Sequence, residues 1–194
     1  YILSGQSNMV GFGRIGGSGP GTLETLTKRE HKFPNMVDDS GKWVVRQDVI
    51  YRGVVTALGN GPLMPGFGAN RGAFGPELGF GHVMGYYHDE PVLVIQTSQG
   101  NRSIGYDVLP PGSQRYTHGD YTYAGHKDGP GRWPSHAEPD PPAPDAWYAG
   151  IQYDAFVAEV HAVPDNCKTE YPQCASQGYE IVGFAWWQGH KGQG

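Results

Sequence analysis

Ser7 follows a short apolar run in the opening stretch Tyr1-Ile2-Leu3-Ser4-Gly5-Gln6-Ser7-Asn8-Met9. Small polar residues replace the apolar ones, and a Gly stands two positions ahead of the Ser. At the carboxyl end of an interior strand, this is where α/β enzymes mount a nucleophile or bind a ligand. A polar turn after a strand is the plainer reading of the same residues. Two other turns carry matching chemistry: "QTSQGNRSIG" ends one apolar run, and "WWQGHKGQG" ends another.

The chemistry these turns suit is acyl transfer. Ser7 would attack a carbonyl, and the resulting oxyanion needs donors preplaced at roughly 2.7–3.1 Å. The backbone N–H of Ser7, a backbone N–H at Gly100 and the side-chain amide of Gln188 are donors of the right kind. Gly at position 100 lets the backbone approach a ligand with no Cβ between them. A carboxamide donates without adding charge. Taken singly, Gly100 and Gln188 also read as ordinary turn residues.

Positioning three turns at one edge requires strands that run the same way. Residues 1–3, 91–98 and 179–187 have strand character, and the second is a β-branched run of the kind covered on both faces of a sheet. Residues 44–52 add a candidate edge strand. Residues 74–88 read as a helix with Pro76 in the first turn and Leu78, Val83 and Met84 on one face. Residues 150–163 read as a second helix, with Ile151, Phe156, Val157 and Val160 near the 3.6-residue period. Strand and helix alternate, which is the α/β pattern and favours a parallel sheet with helices on its faces. In such a sheet all three turns lie at the same edge, where ligand clefts form.

Two stretches do not fit that pattern. Residues 11–34 are Gly-rich and irregular. Residues 106–147 hold eight of the sixteen prolines among many Tyr, His, Asp and Gly residues, which favours an ordered cover over a floppy linker. Tyr116, Tyr121, Tyr123, Trp133 and Trp147 there suit a stacking surface for sugar rings, or equally a satellite hydrophobic cluster beneath a long loop. Trp186 and Trp187 read as core or sheet-face packing.

The 194 residues are expected to form one domain with a core of its own. Charged residues make up only 17% and the formal charge is −5, with no Lys/Arg cluster, so nucleic acid and anionic membrane are poor partners. No apolar stretch approaches the ~20 residues of a membrane span. Cys167 and Cys174 sit in a turn-rich stretch, where they would close a small disulfide loop or stand as two free thiols. The disulfide would suit a secreted or periplasmic protein. Without a matching His pair they make a poor zinc site. Asp120, Asp128, Asp140 and Asp145 populate the insert, where they read either as metal ligands or, more commonly for scattered loop carboxylates, as solvated residues.

"LSGQSNM", "FGPELGFG", "SQGNRSI" and "FAWWQGHKG" together resemble four blocks of the SGNH-hydrolase superfamily. Specifically, they resemble its sialate O-acetylesterase-like branch, which includes carbohydrate esterase family six. The likeness spans nearly the whole chain. It implies a three-layer α/β/α flavodoxin-like fold and cofactor-free deacetylation of a sugar or sialic acid. It also implies Ser7 as nucleophile, with oxyanion donors from Ser7, the Gly100 turn and Gln188. Asn101 stands where the family commonly has a second Gly, so either Gly100 or Asn101 supplies that N–H. His190 and Gly192 replace acidic residues that often follow Gln-Gly.

The family's Asp-x-x-His block is absent from the 194 residues. A serine hydroxyl needs a base to take its proton, and that base is expected on a segment beyond Gly194. A chain that starts inside a strand fits trimming at both ends. His190, close to Gln188, is the competing base and a candidate substrate contact. His118, His126 and His136 in the insert are further candidates, alongside Trp133 and Tyr116 as substrate-binding residues. The leading expectation is therefore a serine esterase acting on acylated carbohydrate. The alternatives are a carbohydrate-binding module on an esterase scaffold, and a lipase or thioesterase of the same superfamily. The polar, aromatic-rich insert disfavours a greasy acyl tunnel.

Overall fold

The computed structural model describes residues 1–53, 59–171 and 176–189. Its elements in chain order are β1 (Ile2–Gly5), α1 (Ser7–Val10), β2 (Gly13–Arg14), β3 (Arg46–Gly53), β4 (Gly61–Leu63) and β5 (Ala73–Phe74). They continue with α2 (Pro76–Tyr87), β6 (Val92–Gln96), β7 (Tyr116–His118), β8 (Tyr121–Tyr123), β9 (Arg132–Pro134), α3 (Ile151–Glu170) and β10 (Phe184–Trp187). The chain divides into two compact units, the first comprising Tyr1–Gly100 with Ala162–Gln188, and the second built mainly from Asn101–His161.

The first unit carries a five-stranded sheet in the order β10-β1-β6-β3-β4. β1 runs parallel to both β10 and β6, β6 parallel to β3, and only β4 is antiparallel. This is a mixed α/β architecture with a mostly parallel central sheet. The strand expected at the edge over residues 44–52 is instead interior, because β4 pairs along its outer side. β4 contains Pro62, which lacks an N–H and is tolerated at a sheet margin.

One sheet face and α2 enclose the core. Leu3, Val49, Leu63, Leu78 and Val94 are buried to within 1% of their surface. Each such side chain contributes about 1.5–3 kcal/mol on leaving water. Tyr51 stacks on Phe67 with centroids 4.4 Å apart. α2 begins at Pro76, as its fixed φ favours. Its buried residues are Glu77, Leu78, Gly81 and His82, while Val83, expected inside, faces solvent. Two ionisable residues on the inward stripe of a helix are unusual, and they hide the stripe from a purely apolar pattern.

β10 is shorter than the expected strand over 179–187, and α3 runs on to Glu170, beyond the expected end at 163. Trp186 and Trp187 are exposed rather than in the core, with Trp186 stacked on Phe184 at 6.2 Å between centroids.

The second unit contains the antiparallel sheet β7-β8-β9, in register Thr117↔Thr122 and Thr122↔Trp133. Ala124, Trp133 and Ala149 form its small core, with Tyr106 and Leu109 packed against them. The Pro-rich stretch is thus ordered by its own sheet. Cys174 lies outside the described residues, and so does any pairing with Cys167. Among the described residues, no helix is long and apolar enough to cross a membrane.

Candidate functional site

Gly5 pairs with Trp187 in the parallel β1–β10 ladder, and the Gln6 N–H continues it by donating to the Trp187 carbonyl at 3.2 Å. Gly5 has φ +146°, and a Cβ there would collide with the Trp187 carbonyl oxygen. The left-handed backbone and the lack of a side chain are both needed for β1 to end this close to β10. On the other side, Thr97 N–H donates to Leu3 O at 2.9 Å and Gln99 N–H to Gly5 O at 3.3 Å. The carboxyl ends of β10, β1 and β6 therefore lie side by side, and the three turns leave the sheet at one edge.

Ser7 is the first residue of α1 and is half-buried. Met9 and Val10 N–H groups both donate to the Gln6 carbonyl, at 2.9 and 3.0 Å, and Gly11 N–H donates to Ser7 O at 3.0 Å. The Ser7 N–H belongs to a first turn and has no acceptor within its own helix. A Cβ added to Gly100 would stand 3.9 Å from Ser7 Cβ, so the turn after β6 passes directly beside the serine. Gln188 is half-buried, one residue past the end of β10. Ser7, Gly100 and Gln188 thus occupy the three adjoining turns.

Beneath the serine turn lies a buried polar layer that the sequence reading did not find. Tyr51 Oη donates to Gln96 Oε1, and Gln96 Nε2 donates to the Met9 carbonyl. Glu77 is fully buried, and its Oε1 accepts the Gly75 N–H at 2.9 Å. Burial pushes the Glu77 carboxyl up to about 7, against the opposing backbone hydrogen bonds from Gly75 and Glu77 itself. Burial, together with the neighbouring Glu77 carboxylate, pushes the Tyr51 phenol up as well. "FGPE" was readable as a helix start, but nothing in its spacing marks Glu77 as facing inward.

In the second unit, Asn101 takes a left-handed backbone at φ +60°, which Asn tolerates better than most residues. Asp107 Oδ2 accepts the Ser103 N–H at 2.7 Å, and its Oδ1 accepts Trp147 Nε1–H at 2.8 Å. Arg102 lies over the Trp147 ring, 4.1 Å from its centroid. His126 Nε2 is 3.2 Å from Asp154 Oδ1, and Tyr148 Oη donates to Asp154 Oδ2 at 2.8 Å. Lys127 Nζ also donates to Asp154. Those hydrogen bonds outweigh the burial that would raise it and hold the Asp154 carboxyl below the usual range.

Trp133 is 6% exposed and belongs to the small core, whereas Tyr116 is 59% exposed and stacks on Tyr123 with centroids 5.0 Å apart. His118 and His136 are exposed. His190 lies outside the described residues. Among the described residues, no three His, Cys, Asp or Glu side chains are placed to hold a metal ion. No protein-family model matches the chain, and neither the curated proteins nor the solved structures include a match.

Proposed function

We propose that the chain is a serine esterase of the SGNH type, with a flavodoxin-like three-layer fold, that removes acyl groups, chiefly acetyl, from carbohydrate or sialic-acid hydroxyls. The observation that carries this reading is Ser7, half-buried at the start of α1 beyond a central parallel strand, with the Gly100 turn passing beside it. Ser7 Oγ attacks the ester carbonyl carbon, its proton passes to a base, and the carbonyl π pair moves onto oxygen. The backbone N–H groups of Ser7 and the Gly100–Asn101 turn and the Gln188 carboxamide receive that oxyanion. Collapse expels the sugar oxygen, which takes the proton from the base. Water then hydrolyses the acyl-serine by the same path in reverse. Each step needs only side chains, backbone and water, so no cofactor enters the scheme. Export from the cell would suit a glycan substrate and the pair Cys167 and Cys174.

The test is covalent. A serine-reactive fluorophosphonate is incubated with the protein and with Ser7→Ala, followed by peptide mapping and by hydrolysis of 4-nitrophenyl acetate and glucose pentaacetate. The expected result is one adduct at Ser7 and turnover of both esters, each lost in the variant. An unlabelled Ser7 in a folded protein that does not turn over either ester would overturn the reading.

A second reading is supported by Tyr116, exposed and stacked on Tyr123. A paired tyrosine face of this kind suits sugar rings, so the chain would bind carbohydrate without hydrolysing it.

A further inference from the structure

We propose that Glu77 is a positioning residue for Ser7, bracing the serine turn from beneath through Gly75 and the Met9–Gly11 backbone. The proposal rests on the esterase reading for its catalytic consequence but not for its structural one.

The geometry is confined to a small space above the Gly75 Cα. A Cβ built there would overlap Glu77 Oε2, and would lie 2.9 Å from Gly11 Cα and 3.1 Å from the Met9 carbonyl oxygen. Glu77 Oε2 and the Met9 carbonyl therefore flank the same point. Oε1 of the same carboxyl accepts the Gly75 N–H. Oε2 is buried and has no hydrogen-bond partner among the described residues. A buried oxygen without a donor is costly as a carboxylate and tolerable as an acid, because the O–H can turn toward a carbonyl on its flank. The Met9 carbonyl already accepts the Gln96 amide, and a carbonyl has room for a second donor.

The charges around Glu77 are few. α1 brings none, β6 brings the neutral Gln96, and β3 brings Tyr51, whose hydroxyl is bound to Gln96. Arg46 of β3 pairs with Asp48 and donates to the His82 carbonyl, one turn farther along α2. Among the described residues, no cation pairs with Glu77 to hold it ionised, in keeping with a carboxyl raised by burial to about 7. The neutral acid is thus the bracing form. Ionisation puts a negative charge beside the Met9 carbonyl and pushes the serine turn away from the floor.

The experiment compares the protein with Glu77→Gln and Glu77→Ala. It reads amide hydrogen-exchange protection at Gly75 and Gly11, and fluorophosphonate labelling rates at Ser7, from pH 5 to 9. Glu77→Gln is expected to keep both amides protected, whereas Glu77→Ala loses that protection while residues of β3 and β6 retain theirs. The labelling rate of Glu77→Gln relative to the parent is expected to rise with pH, approaching about tenfold per unit above pH 7, where the parent's acid form is depleted. A rate ratio flat in pH, or amides equally protected in Glu77→Ala, overturns the proposal. Protection that follows this pattern while Ser7 stays unlabelled in all three proteins leaves the brace standing and removes the esterase reading instead.

Discussion

Gly11 and Gly75 meet backbone to backbone: a Cβ on Gly11 would overlap both the nitrogen and the Cα of Gly75. Gly11 closes the serine turn and Gly75 opens α2, so this contact joins the turn that carries Ser7 to the helix beneath it.

Gly11→Ala is therefore expected to destabilise the first unit well beyond an ordinary surface change. Gly11 has φ +95°, so an alanine meets backbone strain as well as overlap with a main chain that cannot rotate away. The combined cost is about 3 kcal/mol or more. The neighbouring Phe12 is 63% exposed, and Phe12→Ala should stay within about 0.5 kcal/mol. Urea unfolding of the two variants beside the parent measures the contrast. Similar midpoints for both variants would show that the turn can move off α2.

The pH dependence of stability follows from the raised Glu77 carboxyl. Its pKa moves from the ordinary 4.5 up to about 7 on folding. Stability from this residue is full below 4.5, falls as the unfolded chain ionises ahead of the folded one, and is lost by the time pH passes about 7. His82 works in the opposite direction. Burial lowers its pKa, with the Arg46 charge adding to the effect, so its contribution falls as acid protonates the unfolded chain first. Comparing the parent with Glu77→Gln cancels the histidine. The difference in unfolding free energy should change by roughly 3 kcal/mol in favour of the glutamine variant between pH 4 and pH 8. Parallel curves for the two proteins would mean that Glu77 titrates normally.

These buried groups mark the boundary of what was legible in the sequence. Period-2 and apolar-run signals located β1, β6 and β10, and the turns after them, because a parallel sheet demands strands of that composition. Pro76 located the start of α2 for an equally local reason. Pairing of β3 along both of its edges could not be seen, since its residues 46–48 are Arg-Gln-Asp and its outer partner β4 is three residues long around a proline. The inward stripe of α2 is hidden in the sequence for the same kind of reason. Val83 looks like core and Glu77 and His82 look like surface, yet which side faces the sheet depends on how the helix is docked. At the candidate site, the three turns that carry Ser7, Gly100 and Gln188 were recognisable from their small polar composition. Gln96, Tyr51 and Glu77 were not, because Tyr51 and Gln96 act through partners 45 and 87 residues away, and Glu77 through one backbone amide.

The two aromatic residues singled out in the second unit should separate cleanly. Trp133 fills the small core between Ala124 and Ala149, so Trp133→Ala is expected to cost about 3 kcal/mol or more of that unit's local stability. Amide exchange at Ala124, whose N–H donates to Gly131 O at 3.0 Å, reports it. Arg115 holds Asp128 and Glu138 on the surface above that ring, 4.9 Å from its centroid, and Arg115→Gln should move the same amide little and less still in high salt. Tyr116→Ala removes an exposed ring stacked on Tyr123 and should leave Ala124 protection unchanged. If the tyrosine pair receives sugar, Tyr116→Ala alone loses retention on an O-acetylated glycan column. Retention lost in the destabilised Trp133→Ala but kept in Tyr116→Ala would assign the glycan contact to another face of the unit.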